Sequence, residues 1–315
     1  MNNPLISIIV PIYNVARYIE RCAESLFSID YPNVEYIFVN DCTKDDSIIK
    51  LNEVVARYPA KQKNVKIINH EKNAGSGKSR HTGLLAAKGD YVWFVDSDDY
   101  IEKTAINQLM PYFNDNYDLI SFSFISDYGD RQERRPLKEI TVERLLRTQV
   151  EAALWKCLIK RFLFDEYSIH PIEGLNYAED FLITAKLVLV AKKQITLSDK
   201  YLYYYNCENE DSLMHKKNIK LFENGADAAI SVYDFYKSQN AYKKYSGELG
   251  AMLVHKYFEL ESFDHSNQKV SELLTAIKDT DRIYYMILKM PKALGICYNL
   301  ARLYKFISIG RDVDC

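Results

Sequence analysis
The chain is poor in the features that build stapled, metal-clamped or membrane-embedded folds. Its six cysteines (Cys22, Cys42, Cys157, Cys207, Cys297 and Cys315) are scattered through 315 residues, with no C-x-x-C pair and no histidine cluster beside them. That argues against a disulfide scaffold or a zinc site and for a reducing compartment, the cytoplasm. No run approaches the roughly 18 apolar residues that a membrane-spanning helix needs. The opening Met1-Asn2-Asn3-Pro4 leads straight into a strand-like segment, without the basic and apolar stretches of a secretory signal, so none is expected. A net charge of −2 gives no reason to expect a nucleic-acid partner. Repeats of fixed period and low-complexity tracts are also missing.

What is there is ordinary globular material, 48% hydrophobic and 27% charged, long enough for one large domain or a domain with an appendage. The first 125 residues alternate short apolar runs with segments of helical period. Leu5–Val10, Val34–Val39, Val65–Ile68 and Tyr91–Val95 are continuous apolar runs, as strands buried on both faces of a parallel sheet require. Ile19, Cys22, Ala23, Leu26 and Phe27 mark one face of a first helix; Ile48, Leu51, Val55 and Tyr58 mark a second. A third runs from about Ser79 to Ala87 and stops at Gly89. Such alternation predicts an α/β fold with right-handed crossovers, a mostly parallel sheet and helices on both faces. Ligands of such sheets bind outside the carboxyl ends of the strands.

Four segments fall on that edge: Pro11-Ile12-Tyr13-Asn14, Asn40-Asp41-Cys42-Thr43, Asn73 to Arg80, and Asp96-Ser97-Asp98-Asp99. Hard cations such as Mg²⁺ or Mn²⁺ take carboxylate and phosphate oxygens, so Asp96 and Asp98 are candidate metal ligands, with one of them free to accept from a ribose hydroxyl. A lone D-x-D is more often a cap or a solvated turn; its place behind a buried strand, facing three other loops, reverses those odds. Asp41 can accept the ring N–H of uracil, thymine or guanine, which favours a uridine, thymidine or guanosine donor; the bland alternative, a helix cap, is better filled by Asp45 or Asp46. Gly77-Lys78-Ser79 copies the tail of a phosphate-binding P-loop, but Lys72 stands where the motif needs its first glycine. Gly75 and Gly77 are better read as a sharp turn into a helix whose N-terminus faces an anion, with Lys78 and Arg80 adding positive charge.

As a set these motifs resemble the N-terminal half of family 2 glycosyltransferases, inverting enzymes with the GT-A fold, a Rossmann-like architecture for nucleotide-diphosphate sugars. Val10-Pro11-Ile12-Tyr13-Asn14, Asn40-Asp41-Cys42-Thr43, Asn73 to Gly75, Ser79-Arg80-His81-Thr82-Gly83, Ala87-Lys88-Gly89-Asp90-Tyr91 and Phe94 to Asp99 carry the match over residues 4 to about 125. The likeness implies a nucleotide-sugar site of Pro11, Tyr13, Asn14, Asp41, Gly75, Lys78, Arg80, Asp96 and Ser97, with Asp98 and Asp96 holding Mn²⁺ or Mg²⁺. More loosely, Trp155 to Arg161 is similar to the family's W-x-K element. Glu179-Asp180 is similar to its E-D element, which makes Asp180 the implied catalytic base, kept ionised at a helix N-terminus. Three departures stand out: Ser-Arg-His for Ala-Arg-Asn, Asn40 for an aspartate, and Asn206, Cys207 and Glu208 where arginines follow the Tyr203 run. His215, Lys216 or Lys217 are the candidates to replace those arginines.

The implied division is a catalytic domain over 1–215, donor-binding to residue 125 and base-bearing beyond it, followed by a helical region over 216–315. Its activity would move a sugar, favouring a UDP-sugar, to a hydroxyl of a saccharide or lipid-linked saccharide in surface polysaccharide synthesis. The competing reading is a catalytically silent nucleotide-sugar-binding or scaffolding protein, against which stands only that the metal and base positions are all filled. Residues 1–281 hold 35 Lys/Arg against 41 Asp/Glu, whereas 282–315 hold 6 against 2, with no acid between Arg282 and Arg311. Interleaved tyrosines and aliphatics make 282–311 a basic amphipathic segment for the inner face of a membrane, the alternative being a helix docked on the protein.

Overall fold
The computed structural model describes residues 3–172, 174–175, 177–209, 219–262, 264, 266–280 and 282–289. Contacts group them into two compact units. The first comprises residues up to Glu139, Ala153–Gly174 and those from Val190 to 209. The second comprises Ile140–Ala152, Leu175–Leu189 and those from 219 onward.

The first unit is built on one sheet. Its strands are β1 (Ile6–Ile12), β2 (Val34–Asn40), β3 (Val65–Asn69), β4 (Tyr91–Phe94), β5 (Tyr100–Ile101), β6 (Leu119–Asp127), β7 (Gln132–Arg135), β8 (Cys157–Lys160) and β9 (Gln194–Asn206). They lie in the order β3-β2-β1-β4-β8-β6-β9-β5, with β7 beside β6. The first four are parallel, Ile6 standing opposite both Val34 and Tyr91. The apolar runs are explained by two buried faces. Ile6, Ile8 and Val10 join a core with Ile19, Cys22, Leu26 and Phe27 of the helix Ile19–Phe27. Ile9, pointing the other way, meets Gly83 of the helix Ser76–Ala86. Each such aliphatic side chain contributes about 1.5–3 kcal/mol on full burial.

Beyond β4 the sheet is mixed. β8 enters antiparallel between β4 and β6, and β6 runs parallel to β9. The charged stretch after Asp127 holds β7, an edge strand whose residues alternate between exposed and half-buried as it pairs with β6. β9 is 13 residues long, whereas the sequence suggests only Tyr201–Tyr205. Ser198, Asp199 and Lys200 interrupt its apolar pattern where the register shifts: Leu197 pairs with Phe122 but Tyr201 with Ser123. The helix Ser76–Ala86 starts three residues before the expected Ser79, because Gly75 at φ 89° makes the left-handed turn that admits it.

The second unit is helical: Val142–Leu146, Glu179–Val190 (all but its last residue), Ile219–Ser238, Ser246–Glu261, Gln268–Thr280 and Arg282–Lys289. Tyr236 donates to the Ala185 carbonyl at 3.0 Å, and Arg147 pairs with Glu248 at 2.8 Å. Among the described residues no helix is long and apolar enough to cross a membrane. Of the basic segment 282–311 only Arg282–Lys289 is described, as a helix packed on Gln268–Thr280 with Lys278 over the Tyr285 ring. Residues 290–311 lie outside the described residues, as do His215, Lys216 and Lys217.

Candidate active site
The loops after β1, β2 and β4 and the N-terminus of Ser76–Ala86 emerge from one edge of the sheet and are tied together. Asn14, at φ 53°, donates its N–H to the Thr43 hydroxyl at 2.8 Å, and its side-chain oxygen accepts from the Lys44 N–H at 3.3 Å. Asp45 accepts from the Ala16 and Ser47 N–H groups and from the Thr43 and Ser47 hydroxyls. Burial alone would raise its carboxyl; those hydrogen bonds outweigh it and hold Asp45 below the usual range. Asp45 is thus the local organiser, which leaves Asp41 for other work. Pro11 is half-buried on β1, and Tyr13 is 43% exposed beside this loop.

Asp41 is buried and spans to the next loop. Oδ1 accepts from the Ala74 N–H and from His70 Nδ1, at 2.8 and 2.9 Å, and Oδ2 accepts from the Gly75 N–H at 2.8 Å. His70 Nε2 in turn meets the Thr82 hydroxyl at 2.9 Å. An ionised Asp41 can only accept, so Nδ1 carries the proton. The turn that opens Ser76–Ala86 is therefore pinned by Asp41, and Oδ2 is the oxygen with accepting capacity left. His70 belongs to none of the sequence motifs, yet it directly follows β3 and precedes the Asn73 to Arg80 segment.

The acidic loop follows β4. Asp96 Oδ1 accepts from the buried Arg80 guanidinium at 2.7 Å, which ties this loop to Ser76–Ala86. Lys78 lies exposed on the first turn of that helix, and Ser97 is buried beside Asp96. Asp98 Oδ2 accepts from the Asn209 amide at 2.8 Å. Burial first, then the negative charge of Asp96, pushes the Asp98 carboxyl up. Asp99, which the motifs give no role of its own, is 1% exposed and bonded to β9, accepting from the Tyr203 hydroxyl at 2.6 Å and the Asn206 N–H at 2.7 Å. Tyr203 also takes the Asp96 N–H and stacks on Trp155, with ring centroids 4.5 Å apart. Burial, then Asp98 and Asp96, drives the Asp99 carboxyl well above its usual range.

Asp98, which burial and the negative charge of Asp96 make reluctant to ionise, would be relieved by a hard divalent cation. No group of three or more His, Cys, Asp or Glu converges into a full cage among the described residues. An ion held by Asp96 and Asp98 would complete its shell with water and substrate phosphate oxygens, the usual arrangement for Mg²⁺. Asp180 lies in the second unit, in the first turn of Glu179–Val190 beside Glu179.

Parallel strands feeding an acidic loop, on a mixed sheet covered by helices, are the architecture of nucleotide-sugar transferases: the fold is GT-A. The profile of Glycosyl transferase family 2 matches residues 7–169, and the chain belongs to that family. The chain is 31% identical over 224 residues to the uncharacterized glycosyltransferase EpsJ of Bacillus subtilis, covering 67% of this chain and 63% of EpsJ. It is 32% identical over 240 residues to the poly(ribitol-phosphate) beta-N-acetylglucosaminyltransferase TarS of Staphylococcus aureus, covering 73% of this chain but only 38% of TarS. The crystal structure of S. aureus TarS 1–349 with UDP-GlcNAc superposes with a TM-score of 0.67 at 24% identity, over 97% of this chain and 89% of that one. The mannosyltransferase PcManGT of Pyrobaculum calidifontis, in complex with GDP-Man and Mn²⁺, shares the fold with a TM-score of 0.56 at 14% identity, over 98% and 85% of the two chains.

Proposed function
We propose that the protein is an inverting, metal-dependent glycosyltransferase that moves a sugar from a UDP-sugar to a hydroxyl of a saccharide or lipid-linked saccharide, in the synthesis of a surface polysaccharide. The observation that carries this reading is the tie of Arg80 to Asp96 at 2.7 Å, beside Asp98 and across from Asp41, at the carboxyl ends of β1, β2 and β4. It joins a cation in the second turn of the helix Ser76–Ala86 to the acidic loop, as binding a diphosphate next to a cation requires. Asp41 Oδ2 is the acceptor for the ring N–H of uracil, and TarS structures with UDP and UDP-GlcNAc support that choice of donor. The name of TarS, a poly(ribitol-phosphate) beta-N-acetylglucosaminyltransferase, likewise supports a polymer as acceptor.

Inversion is a single displacement at the anomeric carbon. It needs a base to take the acceptor's proton and positive charge to receive the departing diphosphate. Asp180 is the base, its carboxylate favoured in the ionised form by the N-terminus of Glu179–Val190. Lys78 and Arg80 face the diphosphate; Asp98 and Asp96 would hold the Mn²⁺ or Mg²⁺, which when bound neutralises charge on the leaving group. Residues 282–311 place the enzyme against an anionic cytoplasmic membrane face, where each basic residue adds about 1 kcal/mol of attraction.

Thermal shifts with UDP-, TDP- and GDP-sugars plus Mn²⁺ test the reading, since a donor at a hundred times its Kd stabilises by about 2.7 kcal/mol. UDP-sugars should raise Tm most, and slow release of UDP without acceptor should accompany binding. Asp98→Ala should abolish the Mn²⁺-dependent part of UDP affinity by calorimetry. A Tm shift without any UDP release, with every acceptor tried, would leave a silent binding protein instead.

A further inference from the structure
A cavity of about 470 Å³ lies away from the acidic loop. It opens at the opposite edge of the same sheet. Lys88 and Tyr91 lie where the chain enters β4, Asn116 lies just before β6, and Lys160, Arg161 and Phe162 lie where antiparallel β8 ends. Every one of these residues belongs to the first unit. Its size sits within the range of about 300–1,000 Å³ typical of small-molecule sites.

The chemistry of the lining selects a ligand class. Phe162 opens the helix Phe162–Glu166 and is 42% exposed, with Lys160 Nζ 5.7 Å from its ring centre. Tyr91 supplies a second ring, buried, at the wall. Two of the three cations already have counter-charges. Lys160 is bonded to Asp118 at 3.0 Å and to the Asn116 side chain at 2.7 Å. Arg161 is bonded to Asp165 at 2.8 Å and to the Gly89 carbonyl at 3.0 Å. Paired in this way their positions are fixed, and a guanidinium, an amide and an ammonium held in place make a ready set of hydroxyl partners. An exposed aromatic ring beside such a set fits the apolar C–H face of a sugar.

We infer that this cavity is a second, non-catalytic saccharide site, which holds a neutral stretch of the acceptor or product chain at the edge of the sheet away from transfer. The inference rests on the glycosyltransferase reading for its choice of ligand, not for its geometry. A site remote from the reacting atoms raises the local concentration of acceptor without touching the donor loops.

Calorimetry with maltotetraose, chitotetraose and inorganic phosphate tests it, on the full chain without donor or metal. At least one tetrasaccharide should bind, and Phe162→Ala should weaken it tenfold or more while UDP release from a UDP-sugar stays unchanged. Asn116 sits at φ 61°, so Asn116→Gly removes the amide while keeping the backbone relaxed, and it should weaken binding in the same way even if Phe162→Ala folds poorly. Binding of neither tetrasaccharide, tetrasaccharide affinity that survives both substitutions, or phosphate as the only ligand lost on substitution overturns the site. Tetrasaccharide binding that depends on Phe162 in a protein that releases no UDP from any donor would sink the proposed activity and leave the site standing.

Discussion
Gly83 is where packing and chemistry meet most sharply. A methyl group added there would lie 2.3 Å from Ile9 Cγ2, on a strand residue that is fully buried. Carbon–carbon contacts settle at about 3.5–4.0 Å, so Gly83→Ala must move the helix Ser76–Ala86 off the sheet by about 1.2 Å or displace Ile9. Overpacking of this kind costs about 1–3 kcal/mol. Alanine's better helix propensity returns about 1 kcal/mol at most. Arg80 rides on that helix one turn earlier, and the same movement stretches its 2.7 Å bond to Asp96 beyond hydrogen-bond length. Misplacement by about 1 Å can cost on the order of a hundredfold in rate, so UDP release should fall far more than stability. Ile9→Ala removes the clashing methyl and leaves space behind, at about 2–5 kcal/mol on its own. Urea titration of the four proteins closes a double-mutant cycle, in which Gly83→Ala should cost less, or stabilise, once Ile9 is alanine. Additive effects, or a Gly83→Ala protein as stable and active as wild type, would falsify the claim that this contact sets the helix.

Asp180→Asn should leave UDP affinity by calorimetry nearly intact and lower transfer by about two to four orders of magnitude, the usual worth of a general base; transfer within a few-fold of wild type would make Asp180 a helix cap only. Burial first, then the His170 and Lys78 charges, holds His81 below the ordinary histidine value of about 6.5. A group with a depressed folded pKa binds more protons unfolded than folded, so the stability due to neutral His81 is present above pH 6.5 and lost as pH falls below it. His81→Asn should lose less Tm than wild type between pH 7.5 and pH 5, and parallel curves would count against the assignment. The full chain should sediment with anionic but not neutral vesicles at low salt, whereas a chain ending at Asp281 should stay in solution; equal behaviour of the two rules out a membrane role for the basic segment.

Much of the site was legible because it is local. Continuous apolar runs announce strands with two buried faces, as Ile6 to Val10 turn out to be, and the rule that ligands gather at strand carboxyl ends then marks Asp41, Asp96 and Asp98. The sequence offers Asp45 or Asp46, rather than Asp41, as the cap of the helix after β2; Asp45 does organise that turn, Asp46 makes no side-chain cap bond, and Asp41 reaches the loop after the neighbouring strand β3. Other features depended on partners far along the chain. β8 lies between β4 and β6 because Leu158 pairs with Trp93 and with Ile120, contacts that no period within four residues can announce. Asp99 looks like any acidic turn residue until β9 closes over it, bringing Tyr203 and Asn206 from more than a hundred positions away. The opposite-edge cavity has the same origin, since Lys88, Asn116 and Phe162 become neighbours only when the ends of three strands are laid side by side. Hydrophobic period sets which face of a segment is buried; only the folded chain decides which distant residue buries it.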